Sequence, residues 1–277
     1  MEQLRKNPDA LRNAFPKETE RQREGRLKIF FGYAAGVGKT YAMLKAAHAA
    51  QRHGVDVVAG YIEPHERPKT SALMDGLEVL PTLAREFDLD GALKRKPQLI
   101  LIDELAHTNA QCCRHMKRYQ DVLELLKAGI DVYTTVNVQH IESLNDMVAS
   151  ITGAMEHERI PDSVLDEADQ VELVDMEPQE LIERLQAESI YQKNLENREA
   201  GDFFTVENLT ALREIALRRC ADRVNKRTET ARMKSNGDYH TDEHILVCLS
   251  SSPSNAKIIR TASRMANAFR GALQHCL

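Results

Sequence analysis

The run Leu27-Lys-Ile-Phe-Phe-Gly-Tyr-Ala-Ala-Gly-Val-Gly-Lys-Thr40 decides the fold of this 277-residue chain. It opens with five residues that are typical of a buried β-strand, Leu27–Phe31, and continues into a glycine-rich turn, Gly32–Gly38. A helix is predicted directly after the turn, because small and apolar residues recur there at the spacing of one helical face: Met43, Ala46, Ala47 and Ala50. The sequence therefore predicts a strand, a glycine-rich turn and a helix in direct succession.

The turn has the composition of a P-loop, the motif that holds the phosphates of a nucleotide. We align it with the signature G-x-x-x-x-G-K-[ST] through Gly32, Gly38, Lys39 and Thr40. Glycine lets backbone N–H groups converge on a phosphate, and the helix that follows directs the positive end of its dipole toward it. Lys39 would then reach the β and γ oxygens, while the Thr40 hydroxyl would bind Mg²⁺. The nucleotide site predicted in this run comprises Gly32, Gly36, Val37, Gly38, Lys39 and Thr40.

A second polar signal lies at the end of the apolar run Leu99–Ile102, which Asp103 and Glu104 follow. A buried strand that ends in an acid delivers its carboxylate to the carboxyl end of a parallel sheet, where ligands of α/β proteins bind. We therefore add Asp103 to the nucleotide site as a Walker B acid that holds Mg²⁺, so a nucleotide with Mg²⁺ is the expected ligand. Glu104 is the candidate catalytic residue, because it is placed to orient or deprotonate an attacking water.

Strand-like runs alternate with helical stripes along most of the chain. Besides Leu27–Phe31, strands are expected at Val55–Ile62, Leu99–Ile102, Ile130–Val136 and Val171–Val174. One helix is expected to bury a face made of Tyr119, Val122, Leu123 and Leu126. Two later helices are predicted at Pro178–Glu188 and Val206–Arg227, and the second is expected to be buried through Leu209, Leu212, Ala216 and Cys220. This alternation predicts an α/β fold, a P-loop NTPase-like and mostly parallel sheet flanked by helices.

Changes in composition divide the chain into four segments. Residues 1–25 are a mixed-charge arm, and residues 26–230 form the nucleotide-binding domain. Residues 231–241 belong to a polar stretch, Lys226–Thr241, which has almost no apolar residue and is predicted to be a linker. In residues 242–277 a strand, a loop and a helix make up a single βα unit: His244–Leu249, Ser250–Ser254 and Asn255–Ala268.

The composition restricts the class of protein. The net charge of −5 gives no electrostatic reason to expect nucleic acid or an anionic membrane as the main partner. No apolar run approaches the ~20 residues that span a bilayer, and the N-terminus lacks the apolar core of a secretory signal. The five cysteines form no C-x-x-C pair, so neither a zinc ribbon nor a disulfide framework is expected. A reducing, cytoplasmic location is the prediction.

Two polar clusters, Glu63–Arg67 and Thr134–His140, follow predicted strands and are expected near the nucleotide cleft. They contain His65 and His140, and His107 follows the Asp103-Glu104 pair. Isolated histidines are more often structural or solvated than ligands, and no spacing of His, Asp and Glu converges on one helical face. We therefore predict no metal site besides the Mg²⁺ of the nucleotide.

Four runs of the sequence are more specific than a generic P-loop: Lys28–Thr40 (KIFFGYAAGVGKT), Leu101–Asn109 (LIDELAHTN), Gln120–His140 (QDVLELLKAGIDVYTTVNVQH) and Leu209–Val224 (LTALREIALRRCADRV). Together they resemble the N-terminal domain of the KdpD-type osmosensitive potassium-channel sensor histidine kinases. The resemblance extends over roughly residues 26–230. Residues 244–277 resemble the opening of the universal-stress-protein domain that follows in this family, here cut short after its first βα unit.

The resemblance implies an ATP-binding regulatory module of a two-component sensor, which tunes phosphorylation of a response regulator that controls potassium uptake. The implied partners are ATP, the transmembrane and kinase portions of the sensor or another sensor-kinase chain, and indirectly the response regulator; a homodimer is left open. The sequence carries no phospho-accepting histidine box and no kinase core. At most weak ATPase activity is expected, because no arginine is placed by a motif to serve as an arginine finger.

Two other functions stay open at this point. A small P-loop kinase or NTPase would act on a small acceptor, and Glu63–Arg67 could imitate its acceptor loop. A scaffold protein would retain the P-loop but bind no nucleotide. Turnover with a small acceptor would favour the first function, and a failed nucleotide titration would favour the second.

Overall fold

The computed structural model describes residues 24–63, 68–187, 203–235, 244–248, 255, 258, 262 and 272–276. The chain divides into two compact units, Met1–Asp222 and Arg223–Leu277. The predicted arm, apart from its last two residues, the loop at Ser250–Ser254 and most of the predicted helix Asn255–Ala268 lie outside the described residues. No helix in the described ranges is both long and apolar enough to cross a membrane.

The first unit is built on a parallel sheet of six strands. The strands are β1 (Leu27–Gly32), β2 (Val57–Tyr61), β3 (Glu78–Val79), β4 (Leu99–Ile102), β5 (Asp131–Asn137) and β6 (Gln170–Leu173). Their order across the sheet is β3-β2-β4-β5-β1-β6, and every neighbouring pair is parallel. The predicted α/β fold is confirmed, and the five predicted strands lie within two residues of their expected bounds. The two-residue strand β3 was not predicted.

Helices connect the strands and pack on both faces of the sheet. They are α1 (Lys39–Arg52), α2 (Pro68–Ser71), α3 (Leu89–Arg95), α4 (Arg118–Lys127), α5 (Asn145–Thr152), α6 (Asp162–Glu167), α7 (Pro178–Ala187) and α8 (Val206–Ser235). Short 3-10 helices occur at Ala72–Met74, Val138–His140 and Glu142–Leu144. The strand, glycine-rich turn and helix predicted from Leu27 onward are therefore present as β1, the turn and α1.

Successive side chains along each strand point to opposite faces of the sheet, and a hydrophobic core lies on each face. In β1 the side chains of Ile29 and Phe31 belong to one core, and that of Phe30 belongs to the other. Helix α4 contributes Val122 and Leu125 to the first core, whereas α1 contributes Met43, Leu44 and Ala47 to the second. Because both faces are covered, β1 and β4 consist of nearly continuous apolar residues, which made them easy to detect in the sequence.

Helix α4 is rotated relative to the predicted face. Leu123, expected inside, is 36% exposed, and Leu125 is fully buried instead. The buried positions are Arg118, Asp121, Val122 and Leu125, at the i, i+3, i+4, i+7 spacing of one face. Two of the four are charged, so a search for apolar periodicity placed the face about one position off. Of the predicted residues Val122 is fully buried, and Tyr119 and Leu126 pack at the edge of the core.

Helix α8 continues further than the sequence indicated. Leu209, Leu212 and Ala216 are fully buried as predicted, and Cys220 is half-buried. The helix ends at Ser235 rather than at Arg227, so the linker predicted from Lys226 begins inside a helix, and residues 231–235 are helical too. The reason is that this stretch is rich in Arg, Lys, Glu, Ala and Met, which favour helix even where no apolar face exists.

The second unit contains a second strand that the sequence analysis missed. β7 (His244–Cys248) and β8 (Ala272–Cys276) pair in parallel, with His244 opposite Ala272. A single βα unit was expected, and that expectation is wrong. The run Ala272–Cys276 contains no β-branched or aromatic residue, so its local preference does not favour a strand, and pairing with β7 overrides it.

Candidate functional site

A cavity lies where the carboxyl ends of β1, β4 and β5 meet at one edge of the sheet. It is partly open to solvent. Six of the predicted site residues line it: Gly36, Gly38, Lys39, Thr40, Asp103 and Glu104. Gly32 and Val37 shape the loop without lining the cavity. The structure thus brings the two sequence signals to one place.

The glycine-rich turn has the backbone that its glycines permit. Gly36 and Gly38 have φ angles of 94° and 103°, in the region that residues with a Cβ rarely adopt. A Cβ on Gly32 would lie 2.7 Å from the Val37 Cγ2 atom and 3.0 Å from the Lys39 Cδ atom. The loop therefore closes on itself over Gly32, which leaves no room for a side chain there.

The alignment of this turn with the P-loop signature needs one correction. Five residues, not four, separate Gly32 from Gly38, so Tyr33 occupies the position of the first glycine in the signature. Tyr33 is fully buried, and its hydroxyl donates a hydrogen bond to the carbonyl of Met176, which follows β6, at 2.9 Å. The match to the signature therefore depends on Gly38, Lys39 and Thr40, and Gly32 has a packing role.

Lys39, Thr40 and Asp103 form the polar centre of the site. The Lys39 ammonium donates to the Ala34 carbonyl across the loop at 3.0 Å. The Thr40 hydroxyl donates to Asp103 Oδ2 at 3.0 Å, and Asp103 is only 1% exposed. Thr135, on β5, donates its hydroxyl to Asp103 Oδ1. The aspartate is therefore fixed by hydroxyls from both sides, with its carboxylate beside the start of α1.

Glu104 stands next to Asp103 in a strained backbone conformation. Its φ angle is 56°, which is uncommon for a residue with a Cβ, and its N–H donates to Thr135 Oγ1 at 3.1 Å. Desolvation by the surrounding protein, together with the charges of Asp103 and Glu63, raises the pKa of Glu104 from 4.5 to about 7 although the side chain reaches solvent. A carboxyl with such a pKa can exchange a proton near neutral pH, which is what a general base requires.

Arg118, the first residue of α4, connects the site to the loop before α3 and was missed in the sequence analysis. It is fully buried; one nitrogen donates to the Asp103 carbonyl at 3.2 Å and another to Glu86 Oε2 at 3.1 Å. Its guanidinium also lies 4.0 Å from the centre of the Tyr61 ring. An arginine at the start of a helix normally indicates a surface position, so no signal in the sequence could have revealed this role.

The histidines differ in their relation to the cavity. His107 and His140 line it together with Glu158, whereas His65 lies outside the described residues. His107 Nε2 is 3.1 Å from a Glu86 carboxylate oxygen, and His140 Nδ1 is 2.7 Å from the Glu158 carbonyl. Burial lowers the pKa of His140, with a contribution from Lys39, so the neutral ring donates through Nδ1. Across the described part of the chain, no group of three or more His, Cys, Asp and Glu side chains could hold a metal ion.

Comparison with known proteins shows which family the chain belongs to. The family model described as the osmosensitive K⁺ channel His kinase sensor domain, KdpD, matches residues 23–224, which is well over half of the chain. The chain belongs to the KdpD family. Sensor protein KdpD of Clostridium acetobutylicum is 55% identical over 276 residues, and that of Escherichia coli K12 is 46% identical over 286 residues.

The chain corresponds to only part of these KdpD proteins. The matches cover 96% and 100% of this chain but 31% of each of the two relatives. A putative sensor protein KdpD of Synechocystis sp. PCC 6803 is 43% identical over 266 residues, which cover 93% of this chain and 71% of that relative. The sequence resemblance to KdpD sensor kinases is thereby confirmed.

The residues present in this KdpD-family cavity suit a Mg²⁺-bound nucleotide. Thr40 and Asp103 offer the hydroxyl and carboxylate oxygens that Mg²⁺ prefers, and Lys39 offers a positive charge for phosphate. The side-chain oxygen of Asn137, which lines the cavity where β5 ends, is buried without a hydrogen-bond partner. A buried polar atom of this kind is normally satisfied by a partner, and a ligand in the cavity would supply one.

Proposed function

We propose that this chain binds Mg²⁺-ATP in the cavity and acts as the regulatory sensor module of a KdpD-type histidine kinase at the cytoplasmic face of the membrane. The observation that carries the proposal is the contact between Thr40 and Asp103 directly behind a glycine-rich loop. Thr40 begins α1 and Asp103 follows β4, so two distant parts of the sequence meet at 3.0 Å. This is the arrangement in which P-loop proteins hold the metal of a nucleotide.

The residues of the cavity have distinct roles in the proposed binding. Backbone N–H groups of the loop and the positive end of α1 would bind the phosphates, and Lys39 would neutralise the terminal ones. Thr40 and Asp103 would hold Mg²⁺. The bound Mg²⁺ would draw charge from the phosphate oxygens and so make the terminal phosphate easier to transfer. Glu104 could take a proton from a water molecule there.

A regulatory role is favoured by the family to which the chain belongs. The matched family is described as a sensor domain of a His kinase, and the relatives are named sensor proteins. We propose that nucleotide binding changes how this module acts on the transmembrane and kinase portions of the sensor, and through them on a response regulator that controls potassium uptake. The small P-loop kinase remains the second candidate, because Glu104 could also activate the hydroxyl of an acceptor.

The metal dependence of binding tests the proposed function. Calorimetric titration of the chain with ATP should show one site whose affinity falls by about tenfold or more when EDTA replaces Mg²⁺, because a charge-assisted contact is lost. Asp103→Asn should bind ATP with little dependence on Mg²⁺. A matched control is Asp131→Asn at the opposite end of the sheet, which should behave like the wild type.

Two results would count against this proposal. The absence of ATP binding in both Mg²⁺ and EDTA would contradict it and favour a scaffold. Rapid consumption of ATP only in the presence of a small hydroxyl acceptor would contradict the regulatory role and favour a small P-loop kinase.

A further inference from the structure

Helix α7 places an arginine at the cavity that no sequence motif indicates. Arg184 lines the same cavity as Lys39, and its Nη1 atom lies 3.7 Å from the position that a Cβ on Gly38 would occupy. From the sequence, no arginine was placed by a motif to serve as an arginine finger, and the weak ATPase activity expected on that ground stays a prediction. Arg184 comes from a part of the chain that lies about 145 residues after the P-loop.

The position of Arg184 is fixed by the packing of its helix. Leu181 is fully buried and Leu185 is 3% exposed, and both belong to the core on one side of the sheet. α7 follows β6, the strand next to β1, so the helix begins beside the strand that carries the P-loop. The two core leucines hold α7 against the sheet, and the half-buried Arg184 side chain reaches the P-loop from there.

The charges that line the cavity indicate what Arg184 could bind. Among the lining residues that the structure describes, Asp103, Glu104 and Glu158 are acidic, while Lys39 and Arg184 are the basic ones. A nucleotide triphosphate stays negatively charged even after Mg²⁺ binds, so a single lysine leaves part of that charge uncompensated. The planar guanidinium of arginine donates two parallel hydrogen bonds to phosphate oxygens and so matches this need better than a second lysine.

We propose that Arg184 binds the phosphate chain of the nucleotide as a second cation beside Lys39. The inference rests on the proposed nucleotide binding and adds a residue to it. It also gives α7 a function, because the helix that carries Arg184 is held to the phosphates whenever the nucleotide is bound. The residue acts by direct contact with the ligand.

Calorimetric titration with Mg²⁺-ATP is the first test. Arg184→Gln should weaken binding by about tenfold or more, and Arg184→Lys, which keeps the charge but loses the fork, should fall between that variant and the wild type. Arg218→Gln is the matched control: Arg218 is on α8, is 76% exposed and pairs with Glu214, so its loss should leave the affinity unchanged. Equal affinities of wild type and Arg184→Gln, with both folded by circular dichroism, would overturn the inference.

A second test needs no variant and therefore holds even if Arg184→Gln does not fold. Phenylglyoxal modifies arginine side chains, and mass spectrometry can locate the modified residues. Mg²⁺-ATP should protect Arg184 and leave Arg218 as reactive as before; equal modification of Arg184 with and without Mg²⁺-ATP would overturn the inference. If the wild type binds no ATP, the proposed function fails as well, whereas ATP binding without a role for Arg184 contradicts this inference alone.

Discussion

Replacement of Arg118 by methionine removes the charge that joins the end of β4 to the loop before α3. Methionine keeps much of the length and apolar stem of the side chain, so the change isolates the guanidinium. In the wild type that group is 0% exposed, contacts the Asp103 carbonyl and Glu86, and lies against the Tyr61 ring. After the change the Glu86 carboxylate, whose side chain is 13% exposed, keeps His107 but loses its buried partner.

The size of the effect follows from the burial of this pair. Removal of one partner of a buried ion pair costs about 3–5 kcal/mol, because the other charge stays desolvated. Glu86 retains some contact with water and two other partners, His107 and the Ala110 N–H, so the lower end, about 3 kcal/mol, is the expected loss in free energy of unfolding. For a unit of this size roughly 2–4 °C of melting temperature corresponds to each kcal/mol, which predicts a decrease of about 6–12 °C.

Thermal melting followed by far-UV circular dichroism measures this effect, and it suits a chain that contains no tryptophan. The control is Arg114→Met, which removes a surface arginine that pairs with Asp90 and Glu124; such pairs contribute about 0–1 kcal/mol. Addition of Glu86→Gln to Arg118→Met should recover part of the loss, since no unpaired charge then remains. If Arg118→Met melts within about 2 °C of the wild type, the account of Arg118 as a buried structural link is wrong.

Two further predictions concern Glu104 and the second unit. Because the pKa of Glu104 is raised from 4.5 to about 7, the folded chain binds more protons than the unfolded chain between these values, and this group lowers stability as pH rises through that window. Glu104→Gln should therefore melt at the same temperature as wild type near about pH 4.5 and at a higher one near about pH 8; an equal difference at both would contradict the raised pKa. In hydrogen exchange, β7 and β8 should lose protection well before β4, since they form a two-stranded sheet while β4 is fully buried between β2 and β5. Equal protection of β7 and β4 would show that the second unit is as stable as the first.

The sequence predicted those parts of the fold in which local pattern and tertiary structure agree. β1, the glycine-rich turn and α1 were found because a strand buried on both faces is continuously apolar and because the turn needs glycine. Asp103 was found because it directly follows β4, which is also a continuously apolar strand. Thr40 and Asp103 were assigned to one site from the P-loop motif and from the position of the acid at a strand end. In the structure their side chains are hydrogen-bonded at 3.0 Å, and their role toward a nucleotide stays a prediction.

The remaining features depend on contacts that no local pattern encodes. The buried face of α4 includes Arg118 and Asp121, whose charges are compensated by Glu86 and Asn109 from elsewhere in the chain, so apolar periodicity could not locate it. β8 became a strand through pairing with β7 rather than through its own composition. Arg184 reaches the P-loop only because β6 lies next to β1, an adjacency that the sequence does not specify.

The central claim, that the cavity binds Mg²⁺-ATP through the P-loop, is tested most directly by calorimetric titration of the wild type and of Lys39→Ala. The substitution removes a charge-assisted contact to the phosphates, which contributes about 1.5–3 kcal/mol, so the affinity for Mg²⁺-ATP should fall by roughly tenfold or more. Lys45→Ala, in the exposed part of α1, is the matched control and should bind as the wild type does. Equal affinities of wild type and Lys39→Ala, with the fold intact by circular dichroism, would contradict the claim.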